Sequence, residues 1–539
     1  MLKLVAIRLK NHSRLADLDL QVRTHLVLVG ANGVGKSSLL RCLNLILGSS
    51  TAALYSRITK DDFAEPKNPF VIEVDLTDFS LDEQAAFPDK IQIGKEQNPS
   101  ILTIRLEAQL DEGETLQISR FAPNSGAQRQ LSRVQLEMLG WKMVGATHSG
   151  SRDFRNDRNS SLDDILNTIE LGDEEKLFKE VIEGFQDRLS ESEVLLKLRE
   201  KLAAQLSQAV PQKISTEELQ FVSGSTADDD LLADVRLQIT QDGTSRGVQE
   251  QSDGARALFA IAMYDLVSSA ANIVSIDEPE IHLHPTSQRS LARLLRGARN
   301  QKVIATHSPD IVGAFPPEDI VVVSKGGVVK QPKETFLEGN SKLAAHWWVR
   351  NKLEPLTSSL VILVEGVSDR IVLQRVAEIL GKDPDRLGVS IVETDGGNEI
   401  PNARKVFGPD GFNIPLLMLI DDDAKVKTAE KLGVATVDLE RHNVVISDPD
   451  LEGEYTSAIG GKELWKRLEN SKEFTKNQLS TCEASGPDGE RTDEDVAAFC
   501  RKTKNKVHAS LIVAQTLTKE EAASIGSISN LLNKVGQGE

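Results

Sequence analysis

The sequence is poor in cysteine and in long apolar runs, and each deficit excludes a class of protein. Its three cysteines are odd in number and widely separated, which excludes a disulfide scaffold and a cysteine-based zinc module. Such sparse use of cysteine is typical of a reducing cytosol. No segment approaches the roughly 18 apolar residues that span a bilayer, and the N-terminus alternates like a strand without the layout of a signal peptide. We therefore expect a soluble, cytoplasmic protein without a membrane partner.

Positive charge is also in deficit. The 539 residues include 63 Lys and Arg against 81 Asp and Glu, which gives a formal net charge of -18. A protein that coats nucleic acid is rarely this acidic, so contact with nucleic acid would need a local basic patch or metal ions.

The order of apolar patterns predicts an α/β fold in two units. Strand patterns around a glycine-rich turn open the first unit, which we assign to residues 1–335. Within it, residues 140–212 are highly charged with helical periodicity, and we interpret them as a helical insertion that provides a surface for dimerisation. Residues 336–357 lack periodicity and predict a linker. A second α/β unit with a helical C-terminal tail is predicted for residues 358–539.

A phosphate-binding pattern, G-x-x-x-x-G-K-[ST], occupies residues 30–37 between an apolar strand and a helix. The backbone N–H groups of such a loop curl around the β-phosphate of a nucleotide, and the helix N-terminus adds positive potential. Lys36 is expected to reach the β/γ-phosphates, and Ser37 is expected to hold Mg²⁺. The nucleotide-binding residues predicted in this loop are Gly30, Asn32, Gly33, Gly35, Lys36, Ser37 and Ser38.

The other parts of an ATPase lie beside two later apolar strands. Asp277 ends the first of these strands and is expected to bind the Mg²⁺ shell, while Glu278 beside it is expected to polarise the attacking water. His307 follows the next strand, where it would sense the γ-phosphate. Ser252 and Gly254 form a Ser-x-Gly signature ahead of the Asp-Glu pair.

Together these residues resemble the ABC ATPase family, and the resemblance implies assembly. In that family the signature of one protomer covers the nucleotide of the other, so Ser252 and Gly254 imply a homodimer or a higher even oligomer. The signature departs from the LSGGQ pattern of transporters and looks like the SMC/RecF-like branch. The 216 residues from Lys36 to Ser252 are too few for the long coiled coil of SMC proteins. An arginine-rich stretch either contacts DNA phosphate or forms a solvated loop; its residues are Arg152, Arg155 and Arg158.

In the second unit, carboxylates recur at the ends of apolar strands. Glu365 follows the strand pattern at residues 360–364, and Asp369 lies one helical turn later. Asp421 and Asp423 follow a later strand. Side chains at the C-terminal ends of parallel strands converge on one crevice. Several carboxylates in one crevice need cations, and hard oxygen ligands suit Mg²⁺ or Mn²⁺.

This ordered set resembles the Toprim domain of topoisomerases, primases and certain nucleases. Joined to an N-terminal ABC ATPase, it looks like the OLD (overcoming lysogenization defect) family of nucleases, which includes the nuclease subunit of Gabija-type antiphage systems. The resemblance spans essentially the whole chain and implies a downstream Glu and a downstream Lys. Glu452 fits the first, with Glu454 as its rival, and Lys506 fits the second, with Lys504 as its rival.

The resemblance also implies two-metal cleavage of a phosphodiester. Two ions about 4 Å apart clamp the attacking water and the leaving 3′ oxygen. Lys506 would neutralise the charge that develops in the transition state. The implied ligands are Glu365, Asp421 and Asp423 for one ion, and Glu365 or Asp369 together with Glu452 for the other.

Two functions follow from this reading. The first is a nucleotide-regulated, divalent-metal-dependent DNA endonuclease that uses ATP and Mg²⁺ or Mn²⁺, in antiphage defence or DNA metabolism. A UvrD-like helicase encoded nearby would be a further partner. The second is a RecF-like, ATP-dependent DNA-binding clamp or repair factor whose Toprim domain is a relic. The full set of carboxylates favours the nuclease, because relics usually lose a metal ligand.

Two other Toprim activities are disfavoured. A topoisomerase needs a nucleophilic tyrosine in a DNA-bending module, and none of Tyr55, Tyr264 and Tyr455 lies in a recognisable one. A primase normally carries a zinc-binding module, which the cysteine count excludes.

Overall fold

The computed structural model of the chain contains two compact units, Met1–Val329 and Lys330–Glu539. It describes residues 1–94, 99–111, 115–124, 129–144, 188, 190–209, 213–223, 235–241, 243–247, 255, 271–281, 283–333, 336, 353–394, 396 and 399–535. Among these residues, no helix is both long enough and apolar enough to cross a membrane. Three predicted features lie wholly or mostly outside them: the signature Ser252 and Gly254, the stretch Arg152, Arg155 and Arg158, and the linker 336–357.

The first unit contains three sheets. Its described strands are β1 (Lys3–Lys10), β2 (Leu18–Gln21), β3 (Leu26–Val29), β4 (Phe70–Thr77), β5 (Ile91–Gln92), β6 (Ile101–Leu110), β7 (Leu116–Phe121), β8 (Trp141–Val144), β9 (Leu219–Ser223), β10 (Val235–Gln241), β11 (Thr244–Gly247), β12 (Ile273–Asp277), β13 (Gln301–Thr306), β14 (Ile320–Ser324) and β15 (Val328–Lys330). Its described helices are α1 (Lys36–Leu47), α2 (Thr51–Arg57), α3 (Leu81–Ala86), α4 (Arg133–Met138), α5 (Glu193–Ala209), α6 (Pro285–Gly297) and α7 (Pro309–Val312).

A six-stranded sheet positions the phosphate-binding loop. Its order is β15-β14-β3-β13-β12-β8, and neighbouring strands from β14 to β8 run parallel. The central strands β3 and β13 are buried throughout, as expected for parallel strands covered on both faces. A second sheet is antiparallel, with order β2-β1-β4-β6-β5 and with β7 paired to β6. The third sheet, β11-β10-β9, is also antiparallel.

Helix α1 belongs to a core that also includes residues from the parallel sheet and the first antiparallel sheet. The helix is apolar around most of its circumference, and its buried residues include Leu39, Leu43 and Ile46. A helix with this pattern is stable only when it is covered on several sides. Burial of its apolar side chains therefore holds the first turn of α1, and the loop before it, in a fixed position.

The structure describes the predicted helical insertion at residues 140–212 only in part, and its first described residues are not helical. Trp141–Val144 is not helical but forms β8, which pairs in parallel with β12. Trp141 is buried and its indole Nε1 donates to Asn44 Oδ1 at 3.1 Å. The start at residue 140 was wrong because a four-residue strand is too short to be separated from helix by periodicity. Within the rest of the range, α5 is helical and contacts α6.

The second unit is a parallel sheet with helices. Its sheet order is β17-β16-β18-β19, with all three pairs parallel. Its strands are β16 (Leu360–Val364), β17 (Val389–Glu393), β18 (Leu416–Asp421) and β19 (Val444–Ser447). Its described helices are α8 (Glu354–Thr357), α9 (Val367–Ile379), α10 (Pro384–Leu387), α11 (Ile400–Phe407), α12 (Lys425–Leu432), α13 (Leu451–Ile459), α14 (Gly461–Ser471), α15 (Lys476–Leu479), α16 (Asp493–Arg501), α17 (Lys506–Thr516), α18 (Lys519–Ser524) and α19 (Gly526–Lys534). The predicted α/β class is confirmed in both units.

Candidate nucleotide and metal sites

The phosphate-binding loop joins β3 to α1, and its glycines are required by its shape. Gly33 and Gly35 have φ values of 76° and 115°, in the left-handed region that favours glycine. At Gly30 the constraint is space instead, since an added Cβ would lie 2.2 Å from the carbonyl oxygen of Val323. Asn32 is exposed at the tip of the loop, and Ser38 is half-buried in the first turn of α1.

Lys36 lies inside this loop. Its Nζ donates to the carbonyl oxygens of Gly30 at 3.0 Å and of Ala31 at 2.9 Å. Burial lowers the pKa of the ammonium, although the carboxylates of Glu278 and Asp277 oppose this shift. A desolvated lysine held within a ring of backbone groups is well placed to exchange its carbonyl partners for phosphate oxygens.

Ser37 and Asp277 are brought together from distant parts of the sequence. Because β12 is separated from β3 only by β13, the end of β12 lies near the start of α1. The Ser37 hydroxyl donates to Asp277 Oδ1 at 3.2 Å. Burial raises the pKa of Asp277, and the hydrogen bond from Ser37 opposes the shift. A hydroxyl and a half-buried carboxylate of raised pKa form a donor set that a hard cation would fit.

Glu278 and His307 face each other across the ends of β12 and β13. Glu278 has a φ of 46°, an uncommon backbone conformation for a side chain of this type. Its amide N–H donates to the carbonyl of Ala305 at 2.8 Å, and its Oε1 lies 3.5 Å from Nε2 of His307. Burial lowers the pKa of His307, which favours the neutral imidazole. The structure thus brings these two predicted residues to the same edge of the sheet as Lys36.

Sequence reasoning missed Glu280 at this edge. Its Oε1 accepts a hydrogen bond from the backbone N–H of His307, and burial raises the pKa of its carboxyl group. The bond fixes the residue that follows β13 relative to the turn that follows β12. The sequence could have indicated Glu280 only as the third carboxylate of the run Asp-Glu-Pro-Glu. Its hydrogen-bond partner could not be predicted, because it depends on the pairing of β12 with β13.

In the second unit, the first two carboxylates meet at the C-terminal edge of the sheet. Glu365 directly follows β16, and Asp421 is the last residue of β18, its parallel neighbour. Glu365 Oε1 accepts a hydrogen bond from the Asp421 amide at 3.2 Å. Asp421 Oδ1 in turn accepts from the amide of Leu451, the first residue of α13, at 3.2 Å.

Asp369 lies in the first turn of α9 and is 4% exposed. Its Oδ2 accepts from the amide of Gly366 at 3.0 Å, and its Oδ1 accepts from the hydroxyl of Ser368 at 3.2 Å. Oδ1 also lies 4.0 Å from Nζ of Lys506. The carboxylate therefore caps the N-terminus of α9 and also faces the half-buried ammonium of Lys506.

Glu452 and Lys506 complete the cluster from the helical part of the unit. Glu452 is 1% exposed in the first turn of α13, and its Oε1 lies 3.4 Å from Nζ of Lys506, the first residue of α17. The two rivals are placed differently. Glu454 accepts from the amides of Ser527 at 2.8 Å and Asp448 at 3.3 Å, while Lys504 is exposed.

The charges in this cluster are strongly coupled. Burial, together with the repulsion of Glu365 and Asp369, raises the pKa of Asp421 to about 8. Burial also raises the pKa of Glu365, of Asp369 and of Glu452. For Lys506, burial lowers the pKa, but Glu452, Asp369 and Asp421 more than offset this, so the net shift is upward. One ammonium is surrounded by several carboxylates that burial and mutual repulsion drive toward protonation.

This cluster fits a divalent cation by its chemistry. All the donors are hard carboxylate oxygens, the type that Mg²⁺ and Mn²⁺ prefer. Glu452 Oε1 is buried and accepts no hydrogen bond of good geometry. Asp423 is exposed in the turn after β18. In the described part of the chain no three His, Cys, Asp or Glu side chains form a ready-made metal site, so a cation would have to draw the carboxylates together.

The basic run before Lys506 is mostly occupied by partners in the protein. Arg501 forms ion pairs with Asp450 and Glu494. Lys502 donates to the carbonyl of Thr481 at 2.6 Å. The two acids offset the charge of Arg501, whereas Lys502 keeps its charge because its carbonyl partner is neutral.

Two family descriptions match the chain. "AAA domain, putative AbiEii toxin, Type IV TA system" matches residues 26–313, which is more than half of the chain. "Overcoming lysogenization defect protein-like, TOPRIM domain" matches residues 356–423. These matches confirm the resemblance that the motifs indicated.

Two curated proteins are similar to most of the chain, and one solved structure is similar to its C-terminal third. The "OLD nuclease" of Thermus scotoductus is 25% identical over 449 residues, covering 77% of this chain and 81% of that protein. "Endonuclease GajA" of Bacillus cereus is 21% identical over 429 residues, covering 73% of this chain and 71% of that protein. The solved C-terminal region of the Burkholderia pseudomallei OLD protein aligns with 33% of this chain and 96% of its own at 23% identity and a TM-score of 0.27. The chain thus belongs to the AAA-domain ATPase family that matches residues 26–313, and it combines that ATPase with a Toprim nuclease domain of the overcoming-lysogenization-defect type.

Proposed function

We propose that the protein is a DNA endonuclease that depends on Mg²⁺ or Mn²⁺ and is regulated by ATP in its first unit, in antiphage defence or DNA metabolism. The observation that carries the proposal is the group of carboxylates around Lys506, in which Asp369 and Glu452 are buried and Glu365 and Asp421 are half-buried. Such a group is electrostatically unfavourable without a cation. A structural relic would have no reason to keep it.

In the proposed reaction the carboxylates hold the cations and Lys506 acts on the phosphate. When bound, divalent cations supply an activated water and stabilise charge on the attacking and leaving oxygens. Lys506 keeps its proton because its carboxylate neighbours raise its pKa. Once cations neutralise Glu452 and Asp369, its ammonium would be free to donate to a non-bridging phosphate oxygen.

In the first unit, the proposed roles follow the same reasoning. Lys36 and the loop amides bind the nucleotide phosphates, and Ser37 with Asp277 holds the Mg²⁺. Glu278 is held by its backbone bond to Ala305 and orients the attacking water. His307 is favoured as a neutral imidazole, and its ring N–H would donate to a γ-phosphate oxygen.

Plasmid cleavage tests the proposed function most directly. Purified full-length protein should nick or cut a supercoiled plasmid with Mg²⁺ or Mn²⁺, and not with EDTA. The same reaction with and without ATP shows whether the nucleotide activates or restrains cutting. Absence of metal-dependent cleavage under all these conditions would contradict the proposal and favour the RecF-like clamp. A UvrD-like helicase is proposed as a partner if its gene is adjacent, and copurification of the two products tests it.

The Glu452 and Glu454 pair offers a matched test of the site. Glu452→Gln should lower metal-dependent cleavage by at least about 100-fold, since even residues beyond the ligands cost 10–100-fold. Glu454→Gln should leave cleavage within a few-fold of the wild-type rate and instead lower thermal stability. The reason is that Glu454 accepts from the amide of Asp448, directly after β19, and from the amide of Ser527, at the start of α19. Cleavage rates and melting temperatures of both variants decide the matter. The reverse pattern would assign the ligand to Glu454.

Assembly is a separate proposal. A nucleotide site that is completed by Ser252 and Gly254 of a second copy needs a symmetric dimer or a higher even oligomer. Light scattering with ATP and the slowly hydrolysing Glu278→Gln variant should give the mass of at least two chains. A single-chain mass at micromolar concentration under those conditions would contradict it.

A further inference from the structure

A segment of the first unit differs sharply from the rest of this acidic chain. Asp and Glu account for 81 of the 539 residues, yet residues 281–309 contain neither. Lys302, in this segment, is fully buried and does not contribute to the surface. Four exposed arginines do contribute to it: Arg289, Arg293, Arg296 and Arg299, which we call the arginine face.

Helix α6 orients most of this face. Its opposite side is buried through residues such as Leu291 and Leu295. Arg289, Arg293 and Arg296 follow the i, i+4, i+7 spacing that places side chains on one side of a helix. At a rise of about 1.5 Å per residue they extend over about 10 Å, which is roughly three nucleotide steps of about 3.4 Å along one strand of duplex DNA.

A cleft of 480 Å³ adjoins the arginine face. Arg293 and Arg299 line it together with Ser290 and, from α5, Gln205 and Gln208. Amide, hydroxyl and guanidinium groups are the side chains that commonly donate to phosphate and sugar oxygens of DNA. Among the lining residues that the structure describes, none is acidic and none is aromatic. Binders of single strands stack bases on aromatic side chains, so the lining favours backbone contacts to a duplex.

Ion pairs and hydrogen bonds within the protein engage only part of the arginine face. Arg289 pairs with Asp310 at 3.1 Å, and Arg296 donates to the carbonyl of Ala314 at 3.0 Å. Arg293 donates to the neutral hydroxyl of Ser290 at 3.3 Å. Within the part of the chain that the structure describes, neither Arg293 nor Arg299 pairs with a carboxylate. Basic residues near a helix C-terminus counter the helix dipole, but Arg299 lies beyond the end of α6.

We propose that the arginine face and its adjoining cleft bind the phosphate backbone of double-stranded DNA. The inference rests on the proposed function, because it assigns a surface of the first unit to the DNA that the second unit would cut. It supplies the local basic patch that a chain of net charge -18 needs to approach a polyanion. Duplex DNA is favoured over an acidic protein segment because guanidinium groups that recur every three or four residues along a helix match a regular row of phosphates.

The test is a salt series of DNA binding by full-length protein in EDTA, which prevents cutting. The variant R293A/R299A removes the two arginines that lack carboxylate partners. Its control, R133A/R441A, removes two exposed arginines elsewhere, each paired with an acid on its own helical segment. Anisotropy of a labelled duplex should show an affinity about 10-fold weaker at low salt for R293A/R299A, with the log–log salt slope reduced by about 2. The control should retain the wild-type affinity and slope.

Three results would overturn the inference, and they separate its failure from failure of the proposed function. If the wild type cuts DNA but R293A/R299A binds like the control, the arginine face is not a DNA surface and the nuclease stands. If the R293A/R299A change weakens self-association in light scattering while DNA binding is unaffected, the face binds an acidic surface of a second copy. If the wild type neither binds nor cuts DNA, both fail. The variant R293K/R299K keeps the charge and should bind DNA better than R293A/R299A. If both variants lose the same DNA affinity, the melting temperatures of the two proteins show whether they are misfolded.

Discussion

Replacement of Lys36 by Ala should reduce ATP hydrolysis by at least about 10²–10³-fold, the cost of removing one preorganised donor from a developing charge. The ammonium lies inside its loop, held by the carbonyls of Gly30 and Ala31, and no other cation in the described part of the loop reaches that position. Backbone amides alone do not neutralise the β/γ-phosphate charge. Equilibrium binding of a fluorescent ATP analogue measures the expected loss of nucleotide binding, and a steady-state phosphate-release assay measures the loss of hydrolysis.

Two companion variants make this result specific. Lys3→Ala removes an exposed lysine of the same unit that pairs with Asp78, and it should leave hydrolysis unchanged. Glu278→Gln should keep nucleotide binding but slow hydrolysis, because the neutral amide cannot polarise the water. Turnover by Lys36→Ala at the wild-type rate would refute the assignment of the nucleotide site. A lowered melting temperature in Lys36→Ala without nucleotide would indicate loss of the loop's own hydrogen bonds, and Lys36→Met then provides a second variant of similar length.

Those parts of the two sites that depend on local pattern could be predicted from the sequence. The phosphate loop was expected between an apolar strand and a helix, and the structure has β3 at Leu26–Val29 and α1 at Lys36–Leu47 on its two sides. The strand expected at residues 360–364 is observed with the same bounds, directly before Glu365. In both cases one short segment contains the strand, the turn and the functional residue, so nothing distant is needed to recognise it.

Contacts between distant elements could not be predicted. The sequence left Glu452 and Glu454 as alternatives because both lie in the first turn of α13, and only the packing of α17 brings Lys506 beside Glu452. Arg120 gave no local signal at all. It is fully buried, and its Nη1 donates to two carbonyls in the last turn of α1 and, at 2.6 Å, to the carbonyl of Ser49 just beyond the helix.

The two sites are also expected to be separable by mutation. The proposed Mg²⁺ of the ATPase is held by Ser37 and Asp277, which belong to the first unit, whereas the carboxylate cluster around Lys506 lies in the second. Variants of the second cluster should therefore retain ATP hydrolysis. This separation is what allows the nuclease and the clamp interpretations to be distinguished in one set of proteins.

The double variant Asp421→Ala, Asp423→Ala should lose DNA cleavage by several orders of magnitude while it continues to hydrolyse ATP. Divalent cations bind proteins through few carboxylates, and they supply both the nucleophile and the charge stabilisation, so loss of two ligands removes most of the catalysis. Misfolding is not the expected cause. Burial and the repulsion of Glu365 and Asp369 raise the pKa of Asp421 to about 8, which shows that the ionised side chain is unfavourable in the metal-free fold. Its removal should leave the melting temperature without metal unchanged or raised.

Asp422 provides a control within the same three residues. Its side chain is exposed and pairs with Lys425 at 3.5 Å, a surface interaction worth about 0.2–1 kcal/mol. The Asp422→Ala variant should therefore cut DNA nearly as fast as the wild type. Rates of plasmid nicking with Mg²⁺ and with Mn²⁺, measured for the wild type and both variants, give the comparison. The RecF-like clamp predicts no metal-dependent cutting by any of the three. Cleavage that persists undiminished in the double variant would mean that another site or a contaminating enzyme is responsible, and the nuclease assignment would then give way to the clamp.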